Sequence, residues 1–189
     1  FSGKADQYTL NLEDIGEISA SATAVFSADG KNFRIGTRDL PIQGPVKSSS
    51  ITTPFGRAIQ VDRHYGEKND PYLFTLRIRR LIDLQAITFQ GFFHNRSEKD
   101  VNLTSLEILD ATTGMGVPRI GNPTDWLITP LMQHIDAETL AEMNGGFNEV
   151  GLFFNTSTQK SFLIGPVGPA EAHCRIEVHN KRFKAYAQM

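Results

Sequence analysis

The chain has 189 residues, of which 40% are hydrophobic and 21% charged, and its formal net charge is −2 at pH 7. This composition is typical of a folded globular protein with a sizeable core and excludes an intrinsically disordered one. The charge gives no basic excess to neutralise phosphates, so nucleic acid is not an expected partner, and no apolar run approaches the roughly 18–20 residues of a membrane span.

Strand patterns begin close to the start of the chain. Apolar and polar residues alternate at residues 8–12 and 58–63, and residues 18–26 and 32–35 also have strand composition. Between these patterns, residues 39–53 are rich in Pro, Gly and Ser, which predicts a long surface loop.

Residues 72–110 give the clearest pattern, which predicts three strands with a polar turn at residues 95–100. The first strand divides into an apolar and a polar face, made respectively of Phe74, Leu76 and Ile78 and of Thr75, Arg77 and Arg79. That alternation is expected of a half-buried antiparallel strand. Near Ser105 the apolar positions change phase, which predicts a β-bulge.

One segment has the composition of a helix. Residues 136–143, within the broader region 123–143, contain good helix formers after Asp136, and two glycines follow at 145–146. The last third returns to strand patterns up to the end of the chain. The sequence therefore predicts an all-β protein, an antiparallel β-sandwich with one short helix, as a single domain over residues 1–189.

No catalytic constellation can be recognised from residue types and spacing. The five histidines have no metal-ligand spacing, and no GxSxG motif holds a nucleophile. The only cysteine, Cys174, excludes an internal disulfide and a CxxC metal pair. We therefore expect no catalytic residue, no metal and no cofactor.

Trp126 is the main candidate for ligand binding. It is the only Trp, it follows Asp125, and it lies in the long, glycine-rich loop predicted over Gly114 to His134, which also contains Arg119. An indole with polar neighbours can hold a sugar, because the ring stacks on the apolar CH face while the neighbours bind hydroxyls. These four residues form the predicted carbohydrate-binding site. The alternative is that Trp126 fills the end of the sandwich beneath the helix.

Two segments point to a known family. The segment ITFQGFFHNRSEKDVNLTSLEILDA (residues 87–111) has an Asn-x-Ser turn before a polar-apolar run that ends near Leu109 and Asp110. The tail SFLIGPVGPAEAHCRIEVHNKRFKAYAQM (residues 161–189) has an aliphatic-Gly stretch and two strands, the last with a Phe-x-Ala pattern. Both resemble the N-terminal β-sandwich of α-galactosidase-like enzymes of glycoside hydrolase family 36. The resemblance runs from about Ala58 to Met189.

The resemblance implies a galactose mutarotase-like supersandwich, which in that family precedes a (β/α)8 barrel carrying two catalytic aspartates. This sequence has no barrel, so it receives no catalytic residue from the comparison. The implied function is a noncatalytic domain of a carbohydrate-active protein, with a carbohydrate or the neighbouring catalytic domain as partner. The start FSGKADQ is neither a signal peptide nor an initiator Met, which predicts a processed or trimmed start. The family pattern would continue with further strands after the last strand of this chain, so the resemblance implies either a trimmed N-terminal piece of a longer glycoside hydrolase or a shorter stand-alone relative.

Two other hypotheses remain open. The chain could be a stand-alone carbohydrate-binding or cell-surface interaction module, without a barrel partner. It could also be a small enzyme with a His general base, which would require a His and a carboxylate in one cleft. The compartment is also open: a secreted or periplasmic location is compatible with the sequence, which does not fix the oligomeric state.

Overall fold

The computed structural model describes residues 7–112, 118–130, 136–148, 150–166 and 173–189. These residues form antiparallel β-strands, and the helical element among them is one turn of 3-10 helix at Pro123–Asp125. The predicted all-β, antiparallel and sandwich-like class is therefore confirmed.

The strands alternate with short turns, as the sequence patterns predict. In chain order they are β1 (Tyr8–Leu12), β2 (Gly16–Ala28), β3 (Lys31–Gly36), β4 (Lys47–Thr53), β5 (Gly56–Tyr65), β6 (Tyr72–Leu81), β7 (Ala86–Asn95), β8 (Val101–Asp110), β9 (Pro118–Arg119), β10 (Trp126–Pro130), β11 (Glu138–Thr139), β12 (Gly145–Asn148), β13 (Gly151–Asn155), β14 (Ser161–Ile164), β15 (His173–His179) and β16 (Arg182–Gln188). The three strands expected in residues 72–110 are β6, β7 and β8.

The strands of the described residues belong to three sheets. The largest follows the order β1-β2-β8-β16-β15-β12, and β3 and β9 also pair with β2. The second has the order β11-β10-β13-β14 and the third the order β4-β5-β6-β7. The pairs β5–β6, β6–β7 and β13–β14 are antiparallel, as expected for consecutive strands joined by short hairpins.

The chain divides into two compact units. One comprises Phe1–Ser21 with Leu109–Met189, and the other is Ala22–Ile108. The boundaries fall inside β2 and β8 rather than in a linker. The single domain over residues 1–189 stays a prediction.

In the unit Ala22–Ile108, aromatic residues pack between β2 and the strands β6 and β7. Phe26 on β2 packs against Tyr72 on β6 and Phe93 on β7, with ring centroids 4.7 and 4.6 Å apart. Phe74 and Leu76 are fully buried beside this cluster, on the face that the sequence predicts to be apolar. Burying each such side chain contributes about 1.5–3 kcal/mol.

The other unit has its own aromatic core. Phe153 on β13 stacks on Phe162 on β14 at 4.6 Å and packs against Phe183 on β16 at 5.0 Å. Trp126, at the start of β10, lies 5.4 Å from Phe162. These rings fill the space between the β10–β13–β14 strands and β16.

The predicted loop over residues 39–53 is wrong in its second half. Lys47–Thr53 forms β4, which pairs with β5 from Lys47 opposite Asp62 to Thr53 opposite Gly56. Its serines are exposed, so the strand has no apolar face to give an alternating pattern. The pairing with β5, rather than local propensity, makes this segment a strand.

The predicted helix over residues 136–143 is also wrong. Capping-type hydrogen bonds form at Thr139 rather than at Asp136: Glu142 N donates to Thr139 Oγ1 at 3.3 Å, and Thr139 Oγ1 donates to Glu142 Oε2 at 2.7 Å. Only one turn follows, closed by Met143 N donating to Thr139 O. Thr139 pairs with Leu127 of β10, and β12 begins at Gly145. The residues between Thr139 and Gly145 are too few for helix propagation to offset the unfavourable free energy of nucleation.

The predicted change of phase at Ser105 does not occur. Ser105, Glu107 and Leu109 are buried in regular alternation along β8, while Leu106 and Ile108 are half-buried. Apolar residues stand on both faces because both faces are packed: a Cβ added at Gly91 of β7 would lie 2.5 Å from Ile108 Cδ1. The buried carboxylate of Glu107 is paired with Arg34.

Candidate functional site

The sheet β4-β5-β6-β7 carries polar side chains on one face, where they are aligned in rows across the strands. Register aligns Ser49, Gln60, Arg79 and Thr88 in one row and Lys47, Asp62, Arg77 and Gln90 in the next. A third row holds His64, Thr75 and Phe92, and His94 follows Phe92 on the same face of β7. We call these twelve residues the polar face. Their side chains share one face because strand residues alternate with period two.

The middle row is centred on an ion pair. Arg77 donates to Asp62 through Nε (2.8 Å to Oδ1) and Nη2 (2.7 Å to Oδ2). These hydrogen bonds hold the pKa of Asp62 below its usual value, against a smaller effect of burial in the opposite direction. The guanidinium carbon of Arg77 also lies 5.0 Å from the ring centroid of Phe92. Arg77 is therefore fixed from two sides.

Gln60 links the first two rows. Its Oε1 accepts a hydrogen bond from Arg79 Nε at 2.8 Å, and its Nε2 donates to Asp62 Oδ2 at 3.2 Å. Within the part of the chain that the structure describes, no carboxylate pairs with Arg79 or with Lys47. The face therefore carries one ion pair, Asp62–Arg77, and two further cations that share Asp62 as their nearest acidic neighbour on the face: Lys47 lies opposite Asp62, and the charge of Arg79 also lowers the pKa of Asp62.

One hydroxyl joins the two histidines of the face. Thr75 Oγ1 lies 3.0 Å from Nδ1 of His64 and 3.2 Å from Nε2 of His94. A hydroxyl has one proton to donate, so it can donate to one ring while accepting from the other. No histidine in the described ranges hydrogen-bonds a carboxylate. Asp62 nevertheless lines the same cavity as His64, and the charge of His64 is one of the smaller causes of the lowered pKa of Asp62. The hypothesis of a His general base therefore stays a prediction.

A cavity of about 430 Å³ lies beside the polar face. Its lining includes Gln43, Lys47, Ser49, Gln60, Asp62 and His64. The segment 42–46 forms its other side and is attached to β5 by two bonds: Gln43 N donates to His64 O at 2.8 Å, and the Gln43 side-chain amide donates to Gly66 O. Cavities of this size accept small ligands, with a few polar groups fixing their orientation.

The structure buries the Trp126 side chain. Trp126 is 1% exposed, and its indole Nε1 donates to Ile120 O at 2.6 Å. An indole in this position offers no ring face to a sugar in solution. The burial agrees with the alternative in which Trp126 is a packing residue, although the helix beneath which it was expected to lie does not form.

The other residues predicted to bind carbohydrate do not surround an open site with it. Arg119 is exposed and pairs with Glu17 of β2 through β9. Asp125 ends the 3-10 helix, where its carbonyl accepts from Thr156 N at 2.8 Å. His134 lies outside the described residues. The sequence predicted the polar side of β6, but sequence reasoning missed that Gln60, Asp62 and His64 of β5 lie opposite it.

A second polar cluster lies on β15 and β16 in the other unit. Glu177 accepts from Tyr186 Oη at 2.7 Å and pairs with Lys184 (3.1 Å) and Arg175 (3.3 Å). Burial alone would raise the pKa of Glu177, but the hydrogen bonds from Tyr186 and Lys184 and the two cations bring it below its usual value. Because its charges are mutually paired, this cluster is a weaker candidate for ligand binding than the polar face.

No protein-family model, curated protein or solved structure matches this chain. Among the described residues, no group of three or more His, Cys, Asp and Glu side chains is placed to hold a metal ion. Within the same residues, no helix has the length and apolarity needed to cross a membrane.

Proposed function

We propose that this chain is a noncatalytic β-sandwich domain of a carbohydrate-active protein, and that it binds a saccharide on the polar face and in the adjoining cavity. The observation that carries the proposal is the hydrogen-bonded series Arg79–Gln60–Asp62–Arg77, of which Gln60 and Asp62 line the 430 Å³ cavity. It places fixed donors and acceptors side by side on a rigid sheet.

Saccharide hydroxyls both donate and accept hydrogen bonds. The cavity supplies acceptors from Asp62 and donors from Lys47, and Ser49 offers a hydroxyl that does both. The ring of Phe92 on the same face and the exposed side chain of Val46 at the cavity supply apolar surface for sugar CH groups. Since Gln60 and Arg77 are already oriented by their own hydrogen bonds, little side-chain entropy is lost on binding.

Two adjacent serines allow a matched test. Ser49 lies opposite Gln60 and lines the cavity, whereas Ser50 lies opposite Ile59 and points to the other face of β4. We expect the wild-type chain to bind glycans on an array, Ser49→Val to weaken that signal by replacing a cavity-lining hydroxyl with a methyl group, and Ser50→Val to retain it. Absence of any glycan binding by the wild type, or equal binding by both variants, would contradict the proposal.

A second candidate function is packing on a neighbouring domain, and it is favoured by exposed apolar residues at one end of the sheet. Phe55, Ile82 and Leu84, which we call the apolar end, are 50%, 45% and 56% exposed. They lie on the β4–β5 and β6–β7 hairpins, which are joined by Ile82 N donating to Arg57 O at 2.9 Å. Exposed apolar side chains that cluster in this way are typical of interaction surfaces.

This second candidate is tested with the coding sequence that follows the chain in its gene. If that sequence encodes a barrel, we expect amide hydrogen exchange at residues 53–56 and 82–85 to slow in the longer protein compared with the 189-residue chain. Unchanged exchange at both hairpins would show that the apolar end is not the packing surface. If no barrel follows, a stand-alone carbohydrate-binding module with the same saccharide site is favoured.

A further inference from the structure

We infer that the polar face selects saccharides that carry a carboxylate, such as uronate-containing oligosaccharides, over neutral saccharides. The inference rests on the function proposed above and adds the chemical class of the ligand. Its basis is the net charge of the polar face and the pairing of Asp62 with Arg77 rather than with Arg79 or Lys47.

The polar face holds three permanent cations and one carboxylate. Arg77 and Asp62 neutralise each other through two parallel hydrogen bonds. Lys47 and Arg79 remain, and no carboxylate in the described residues pairs with either. The face therefore has a net charge of +2 although the whole chain carries −2. A local excess of positive charge attracts anions and raises their local concentration.

Arg79 is positioned to bind a carboxylate. Its Nε is occupied by Gln60 Oε1 at 2.8 Å, which fixes the plane of the guanidinium. Within the described ranges, no side chain or backbone carbonyl accepts from Nη1 or Nη2, so both can bind a ligand. A planar guanidinium matches the two oxygens of a carboxylate, and such charged hydrogen bonds are roughly twice as strong as neutral ones.

Lys47 is a second cation at a defined distance from Arg79. Register places Lys47 two strands and one row away from it. From the usual strand spacing and rise, the two backbones are separated by roughly 12 Å. The cavity lined by Lys47, Ser49 and Gln60 lies along this line. An oligosaccharide with acidic groups on successive residues could thus contact both cations while its hydroxyls bind Gln60 and Asp62.

The test compares acidic and neutral oligosaccharides of the same linkage. The probes are oligomers of galacturonate, glucuronate and mannuronate, each beside its neutral counterpart, with polyglutamate as a polyanion that is not a saccharide. We expect at least one uronate oligomer to bind about tenfold more tightly than its neutral counterpart in calorimetry, with a preference that decreases as NaCl is raised.

Three variants, each of which removes one positive charge, test which residues cause the preference for the acidic oligosaccharide. Arg79→Gln and Lys47→Gln should each reduce the preference for the acidic member by about three- to tenfold. Arg80→Gln removes the same charge from the next residue of β6, which lies opposite Ile59 on the other face, and should leave the preference unchanged. Lys47 is exposed, so its variant is informative even if Arg79→Gln impairs folding.

The outcomes separate this inference from the function on which it rests. Equal binding of acidic and neutral members would overturn the carboxylate preference and leave saccharide binding intact. Binding of neither would overturn both. Polyglutamate binding as tightly as the best uronate oligomer would overturn the preference as well, because the face would then respond to charge without recognising a sugar. A preference that survives in both Arg79→Gln and Lys47→Gln would also overturn it.

Discussion

Asp62 and Arg77 lie opposite each other on β5 and β6, and two parallel hydrogen bonds join them, at 2.8 Å from Nε to Oδ1 and 2.7 Å from Nη2 to Oδ2. Both side chains are about three-quarters buried. This pair connects the two central strands of the sheet β4-β5-β6-β7 and also orients the polar groups around it. Its removal should therefore affect both stability and ligand binding.

The replacement Arg77→Lys keeps the charge but loses the planar fork that makes two bonds at once. We expect the free energy of unfolding, measured by urea denaturation at pH 7, to fall by about 0.5–1 kcal/mol. The matched control is Arg57→Lys in the pair with Asp83, which is exposed and screened by solvent and should change little. A loss at Arg57 as large as that at Arg77 would show that bidentate geometry and partial burial are not the cause.

Acid should weaken the Asp62–Arg77 contribution. The pKa of Asp62 is lowered in the folded chain by the hydrogen bonds from Arg77. Its contribution to stability is therefore complete above the unfolded pKa of about 4 and is lost as pH falls through the lower, folded value. We expect the difference between wild type and Asp62→Asn, measured by denaturation from pH 7 to pH 2, to shrink below about pH 4. A difference that is constant over this range would contradict the assignment.

Gly36 has no room for a side chain. A Cβ at this position would lie 2.0 Å from Ala22 O and 2.7 Å from Thr23 Cα, both of which are backbone atoms of the paired strand β2. Because backbone cannot rotate away, Gly36→Ala should destabilise the chain by about 3 kcal/mol. Gly145 is the control, since a Cβ there meets nothing within 4 Å. Thermal or urea unfolding of both variants gives the comparison, and equal stability would rule out the steric explanation.

The strands with one buried face could be predicted from the sequence. Along β6, Phe74, Leu76 and Ile78 pack inward, so the apolar period-two pattern is the direct result of burial. β4 could not be predicted in this way, because Ser48, Ser49 and Ser50 are exposed and only their pairing with β5 makes them a strand. The apolar period-two pattern arises only in a strand with one buried face, and an exposed edge strand such as β4 has no buried face.

The polar face could be predicted only in part. The alternation shows that Arg77 and Arg79 share a face, but it does not show which residues of the neighbouring strand stand opposite them. The pairing of Asp62 with Arg77 is fixed by the register of β5 on β6, a non-local property that depends on the turn between the strands. The burial of Trp126 could not be predicted either, because a local sequence cannot show that its indole donates inward to Ile120 O.

Trp126 should behave spectroscopically as a buried residue. It is the only Trp, so its fluorescence reports one site. We expect blue-shifted emission that soluble quenchers do not reach, and no change on adding saccharides that bind the polar face. Trp126→Phe should lower the free energy of unfolding by about 2–3 kcal/mol, since it leaves a cavity and an unpaired carbonyl at Ile120. Strong quenching of the native chain by iodide would contradict this placement.

The apolar end should control self-association of the isolated chain. Leu84 is 56% exposed, so Leu84→Ser should change the free energy of unfolding by less than about 0.5 kcal/mol. It removes apolar surface shared with Phe55 and Ile82, and sedimentation velocity at high protein concentration should show less association than in the wild type. Leu163→Ser on β14 is the control, because Leu163 is 58% exposed but lies outside the apolar end. If both variants reduce association equally, general surface hydrophobicity is the cause and the apolar end has no special part in it.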